Sequence, residues 1–136
     1  MKLAVHGATG RMGRAIVRLA REAHGFDVVG AIAHPEAPEQ GRDVGELAGI
    51  GPLGVVVTAD IASGLLGADV VIDFSAASAV KSIIKAAERA KVPLVSGTTG
   101  IDDETKRALE AASKTIPVLW AANMSLGIEV LSRLVR

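Results

Sequence analysis

The chain of 136 residues contains no cysteine and no tyrosine, and its aromatic residues are limited to Phe26, Phe74 and Trp120. Without thiols, disulfides, thiolate-bound zinc and cysteine nucleophiles are excluded. Single-strand nucleic-acid binding asks for a basic groove lined with stacking rings, and a formal net charge of zero with so few aromatics argues against it. No stretch approaches the roughly 20 apolar residues that cross a bilayer. No long apolar stretch follows Lys2, so the N-terminus does not read as a secretory signal. Neither an H-x-x-x-H spacing nor a carboxylate cluster points to a metal. The expectation is a cytoplasmic protein with neither nucleic acid nor membrane as partner. What is present is an apolar fraction of 49% against 22% charged residues, which suits one folded domain and disfavours disorder.

Short apolar runs alternate with stretches of helical period. Strands are expected at 2–6, 27–33, 55–58, 69–73, 93–96 and 117–121. Helices are expected at 11–24, 60–66, 76–91, 102–114 and from 125 to 136. In the first helix Met12, Ile16, Leu19 and Ala23 share one face, with Arg14, Arg18 and Arg21 largely off it. In the third, Val80, Ile83, Ile84 and Ala87 form the face to be buried. Asp60 is a plausible N-cap, and Ser75 and Ser125 are open to the same role. The fourth opens on three acids, Asp102, Asp103 and Glu104, and closes near Lys114, matching the helix dipole. Residues 34–54 hold three prolines and five glycines and read as a long loop with one helical turn near Glu46. This alternation predicts an α/β fold, a doubly wound parallel sheet (Rossmann-like) of about six strands with helices on both faces. Residues 1–124 form the predicted dinucleotide-binding domain. Residues 125–136 begin a helix that ends without a cap or a polar tail, so the chain reads as a fragment.

Gly7-Ala8-Thr9-Gly10-Arg11-Met12-Gly13 closes the first strand and opens the first helix. Three glycines in that place give a tight turn, close approach of backbone to a pyrophosphate, and close packing of helix on strand. The free N–H groups at the helix start then hold the anion. A P-loop is a poor alternative, since no Gly-Lys-Ser/Thr follows. The tip of the second strand normally carries an acid that binds the ribose hydroxyls of NAD; His34 stands there, followed by Pro35 and Glu36. An acid would repel a 2′-phosphate. His34 either hydrogen-bonds a ribose hydroxyl or, protonated, pairs with a phosphate. Arg11 is within reach of a 2′-phosphate, and Glu36 substitutes for the acid if the loop curls back. Use of both NAD and NADP is expected.

Ligands of such sheets bind at the carboxyl ends of the strands. Three later tips are small and polar: Asp73-Phe74-Ser75, Ser96-Gly97-Thr98-Thr99-Gly100 and Ala121-Ala122-Asn123-Met124-Ser125. Gly97 and Gly100 leave room for a planar ring, Thr98 and Thr99 supply hydroxyls, and Phe74 is placed to lie against a nicotinamide. Asn123 has a turn as its plain alternative. No catalytic set is evident. His6 packs in or beside the sheet without an acid that its neighbours in sequence identify, and His24 sits at a helix end.

Five strings together are more specific than the glycine loop. They are Val5 to Arg14, Gly45-Glu46-Leu47-Ala48-Gly49, Val71 to Ser75, Val95 to Gly100, and Ala121 to Gly127. In order and spacing they resemble the 4-hydroxy-tetrahydrodipicolinate (dihydrodipicolinate) reductases. The resemblance implies NADH- or NADPH-dependent reduction of a cyclic dicarboxylate to tetrahydrodipicolinate, in lysine and diaminopimelate biosynthesis. It assigns Gly7, Ala8, Thr9, Gly10, Arg11 and Met12 to the pyrophosphate and adenosine side, and His34 to the ribose. It assigns Gly97, Thr98, Thr99, Ala121, Ala122, Asn123 and Met124 to the nicotinamide, with Phe74 and Ser75 close by. His34 departs from the family's usual acid, and Met124 stands where Phe is common. The family's proton-donating His-His-x-x-x-Lys stretch and substrate-holding Ser-Gly-Thr have no counterpart here, so no catalytic residue is expected in this chain. The substrate and homotetramer contacts are then expected in a domain this chain lacks. A non-catalytic dinucleotide-binding or redox-sensor module is the alternative.

Overall fold

A computed structural model describes residues 1–125, 130, 131 and 133–135. Six strands form one sheet: β1 (Lys2–His6), β2 (Asp27–Ile32), β3 (Val57–Thr58), β4 (Val70–Asp73), β5 (Leu94–Ser96) and β6 (Val118–Trp120). All pairs are parallel, in the order β3-β2-β1-β4-β5-β6. The connections run outward in opposite directions from β1, so the β1–β4 seam is the switch point where a crevice opens at the strands' carboxyl ends.

Alternation along the strands divides the core into two layers. Ala4, Ile32, Val71 and Leu94 face a layer built with α3 (Ile61–Gly64), α4 (Val80–Ala90) and α5 (Asp103–Ala112). Val5, Ala31 and Val57 face the other, built with α1 (Arg11–Glu22) and α2 (Val44–Leu47). The expected face of α4 is the one buried, with Val80, Ile83, Ile84 and Ala87 all inside. A single 3₁₀ turn, Ala77–Ala79, leads into it.

The expected face of α1 is not the one buried. Met12 is 51% and Leu19 61% exposed, while Gly13, Val17 and Ala20 pack inward. The reason is distance: a Cβ on Gly13 would collide with the Gly7 carbonyl, so the helix lies on the loop and sheet through its small residues. The larger apolar stripe is displaced to the rim, where Ile16, Leu19 and Ala23 meet Leu3 and Phe26 in a shallow apolar groove.

The caps are settled similarly. Asp60 caps α3 by accepting from Ala62 N–H, and Asp102 caps α5 by accepting from Thr105 N–H. Asp103 and Glu104 occupy the first turn of α5, but the helix ends at Ala112, so Lys114 lies beyond it. Ser75 is not a cap; Ala76 precedes the 3₁₀ turn, with no side-chain cap bond. The Ser125 N–H donates to Asn123 Oδ1, so Asn123 makes the turn. Of the helix expected over 125–136, residues 126–129, 132 and 136 lie outside the described residues.

The long loop is ordered by one side chain. Asp43 accepts from the backbone N–H groups of Gly45, Glu46, Leu53 and Gly54 at 2.7–3.3 Å. The hydrogen bond from Leu53 leads in holding its carboxyl below the ordinary value of 3.8; burial opposes, and the bonds from Gly54, Glu46 and Gly45 assist. Val44 and Ala48 enter the core from this loop, with Leu47, Ile50 and Leu53 packed behind them. Its function is to roof that layer of the core.

Candidate functional site: the crevice at the strand tips

The glycine loop lies over the β1–β4 seam. Gly7 takes φ +80°, and a Cβ there would strike the Phe74 carbonyl, so close approach of β4 demands glycine. Gly10 is different. Its φ is −74°, and a Cβ there would meet only the Gly7 carbonyl, at 3.4 Å. Neither backbone strain nor crowding requires glycine at Gly10, which leaves a backbone cradle open to a ligand. Gly10 is also the N-cap of α1, with no side-chain cap bond and no acid in the helix's first turn. The N–H groups that such a terminus leaves unpaired, together with the helix dipole, suit an anion. Within the string from Gly7 to Met12, Ala8 is fully buried, its N–H bonded to Ile32 O at 3.1 Å.

Two clefts flank this loop. The larger, about 530 Å³, is lined by His6, Gly7, Thr9, Gly10, His34, Phe74 and Ser75, and by Ala59, Ile61, Ser78 and Ser82. The second, about 410 Å³, is lined by Gly10, Arg11, Met12, Phe74, Ser75, Gly97, Thr98 and Thr99. Phe74 and Ser75 line both. The structure therefore brings together eleven of the expected positions from four separate segments; Ala8, Ala121, Ala122, Asn123 and Met124 line neither cleft. Ala59, Ile61, Ser78 and Ser82 escaped the sequence reading. They follow β3 and β4, and only the strand order brings those tips to the glycine loop.

His34 is oriented by its own turn. The Glu36 N–H donates to His34 Nδ1 at 3.1 Å. The ring's other nitrogen, Nε2, then carries the proton and is a donor. Glu36 itself is exposed and does not line the cleft. Arg14 is held on Thr9 O at 2.9 Å and Glu39 Oε1 at 3.2 Å, whereas Arg11 lies at the rim of the second cleft.

Beneath the tips sits Asp73, fully buried. Its Oδ1 accepts from His6 Nδ1 at 2.8 Å and Ser75 Oγ at 2.6 Å; its Oδ2 accepts from Ser96 Oγ at 2.7 Å and Thr98 Oγ1 at 2.9 Å. Four donors fill the acceptor capacity of a carboxylate. Burial pushes the Asp73 carboxyl up, but the bonds from His6, Ser75 and Ser96 and the His6 charge outweigh it and hold it below its ordinary value. His6 thus has an acid partner after all, supplied by the β1–β4 register that sets His6 opposite Asp73. Thr98 Oγ1 also accepts from Ser75 N–H, and the Trp120 indole donates to Thr98 O at 3.0 Å. The Thr98 hydroxyl is spent inside the protein; Thr99 is the exposed one. The planar ring that Gly97 makes room for is that of Phe74, because a Cβ on Gly97 would collide with it.

The family model described as "Dihydrodipicolinate reductase, N-terminus" matches residues 1–124. A 4-hydroxy-tetrahydrodipicolinate reductase of Anaeromyxobacter dehalogenans is 45% identical over 135 residues, covering 99% of this chain and 50% of that protein. One of Acinetobacter baumannii is 43% identical over 129 residues, 95% of this chain and 47% of its own. The chain thus spans about half the length of the curated relatives it matches. Among solved structures, an amine dehydrogenase of Mycobacterium smegmatis aligns with TM-score 0.64 at 21% identity, over 82% of this chain and 37% of that one. Aspartate semialdehyde dehydrogenase with NADP from Candida albicans aligns with TM-score 0.62 at 17% identity, over 88% and 41%. These two likenesses establish the doubly wound fold.

Proposed function

The chain belongs to the dihydrodipicolinate reductase N-terminal family, and from that premise we propose that it is the cofactor-binding domain of a reductase. The full protein would transfer hydride from NADH or NADPH to 4-hydroxy-tetrahydrodipicolinate, a small cyclic dicarboxylate, in the making of diaminopimelate and lysine. The observation that carries this reading is the open cradle at Gly10. A glycine that neither strain nor packing explains caps an uncapped helix terminus at the switch point. In this assignment Gly7 to Met12 hold the pyrophosphate, and the bound cofactor supplies the hydride. His34 faces the adenosine ribose, while Phe74, Ser75, Gly97, Thr98 and Thr99 border the nicotinamide end. Residues 121–124 would reach the nicotinamide only by a shift of the β6 tip toward the second cleft.

The proton donor, the substrate contacts and the tetramer contacts are assigned to the part of the relatives' length beyond this chain. Residues 1–124 are assigned to the cofactor and the start of the segment after them to the connection. Among the described residues no helix is long and apolar enough to cross a membrane, and a cytoplasmic enzyme suits the reading. The chain alone should bind cofactor without turnover, since hydride transfer needs substrate held against the nicotinamide with an acid in reach. Robust reduction of the substrate by this polypeptide alone would overturn that.

Dual cofactor use follows from the ribose end of the cleft. His34 offers an N–H donor there, and none of the described lining residues is an acid that would repel a 2′-phosphate. Calorimetric titration should give NADH and NADPH affinities within about tenfold, roughly 1.4 kcal/mol. His34→Glu should move the preference toward NADH; an unchanged ratio would mean that His34 does not meet the ribose.

A further inference from the structure

The cofactor reading uses the loop and the tips but leaves one buried titratable group without a task. His6, the last residue of β1, is 5% exposed. Asp73 is ionised and accepts on all four of its positions, so the proton of the His6–Asp73 bond sits on Nδ1. In the neutral imidazole that leaves a lone pair on Nε2. Nε2 has no partner among the described residues, yet no buried side-chain nitrogen or oxygen among them is unpaired. Both facts hold together when Nε2 meets open space, and the open space that His6 lines is the larger cleft, beside Gly7 and Ser75. A carboxylate has fixed the tautomer of an imidazole and turned its basic nitrogen to the floor of the phosphate-loop cleft.

We propose that His6 is a ligand-binding residue of this cleft, whose Nε2 accepts a hydroxyl of the bound dinucleotide when neutral and becomes a charge-assisted donor to its phosphate when protonated. Asp73 is the positioning residue: it sets the tautomer and balances the added charge. The inference rests on the cleft holding a dinucleotide. Around His6, Asp73 faces it from β4; Ile32 on β2 and Ser96 and Thr98 at the β5 tip carry no charge; and the other titratable group lining the cleft is His34. The loop's own cationic side chain, Arg11, lies at the rim of the second cleft.

The test is NADH titration, from pH 8 to pH 5.5, of the chain carrying His34→Gln, which leaves His6 as the one imidazole among the residues lining the cleft. Affinity should rise about five- to tenfold as pH falls, the difference between a neutral and a charge-assisted hydrogen bond. His6→Asn keeps an amide donor for Asp73 but has no atom at the Nε2 position. It should flatten that profile and leave affinity at low pH about tenfold weaker, with the thermal midpoint near that of the parent. A second measurement needs no His6 variant: the His6 ring followed by NMR through pH should titrate at higher pH with NADH bound than without. A parent that binds NADH with an unchanged His6 titration, or a His6→Asn profile that follows the parent's, would overturn the inference alone. A parent that binds NADH at no pH would overturn the cofactor reading and the inference with it.

Discussion

Asp43 and Asp73 each gather four groups around one carboxylate, and they do opposite work. Asp43 is partly exposed and takes backbone N–H groups two, three, ten and eleven residues ahead of it. It folds its own loop. Asp73 is fully buried and takes side-chain donors 67 residues behind it and 2, 23 and 25 ahead. It ties together the tips of three strands and so holds the floor of the site. The lesson is that the same chemistry builds a local shape when its partners are backbone, and a tertiary junction when its partners are side chains of other elements.

The sharpest way to break this contrast is to delete each carboxylate. Asp73→Ala strands His6, Ser96 and Thr98 without their acceptor in the interior, and should cost about 3–5 kcal/mol in denaturant unfolding. A loss no larger than that of a surface substitution would deny Asp73 its junction role. Asp43→Ala should lower the thermal midpoint less. Its effect should concentrate in faster hydrogen exchange at Gly45, Glu46, Leu53 and Gly54, with the β4 and β5 amides protected as before. Uniform loss of protection would mean that the loop is part of the same cooperative unit as the sheet. Ser96→Ala removes one of the four donors to Asp73 and should cost about 1 kcal/mol. Acid should show the smallest effect. Both carboxyls sit below their ordinary value in the folded chain. Each therefore contributes stability that is fully present above the unfolded value of 3.8 and lost as pH falls through the lowered folded value. Unfolding midpoints of the parent and Asp43→Asn should accordingly converge below pH 3.8 and separate above it.

Much of the site was legible from local spacing. Gly7 to Gly13 between a strand and a helix suffices to expect an anion cradle, and the cleft forms there. The helical turn near Glu46 was legible too, though the single aspartate that organises residues 43–54 was not, because two of its partners lie ten and eleven residues on. The reading of α1 failed because amphipathic period counts apolar residues without knowing how near the sheet is. Gly13 brings the helix so close that only Val17 and Ala20 fit beneath it. Ser75 reads as a helix cap and Thr98 as a free hydroxyl, and both are committed to Asp73.

What the sequence alone determined is the order of elements, the parallel sheet, and the place of the glycine loop, since each depends on residues within a turn or a strand of one another. Only the tertiary structure decided which hydroxyls face a ligand, which stripe of α1 is buried, and that His6 has an acid beneath it. Those outcomes depend on register between strands far apart in the chain. A parallel sheet sets His6 level with Asp73, and Asp73 level with Ser96. A shift of one residue would turn each of those side chains to the other face.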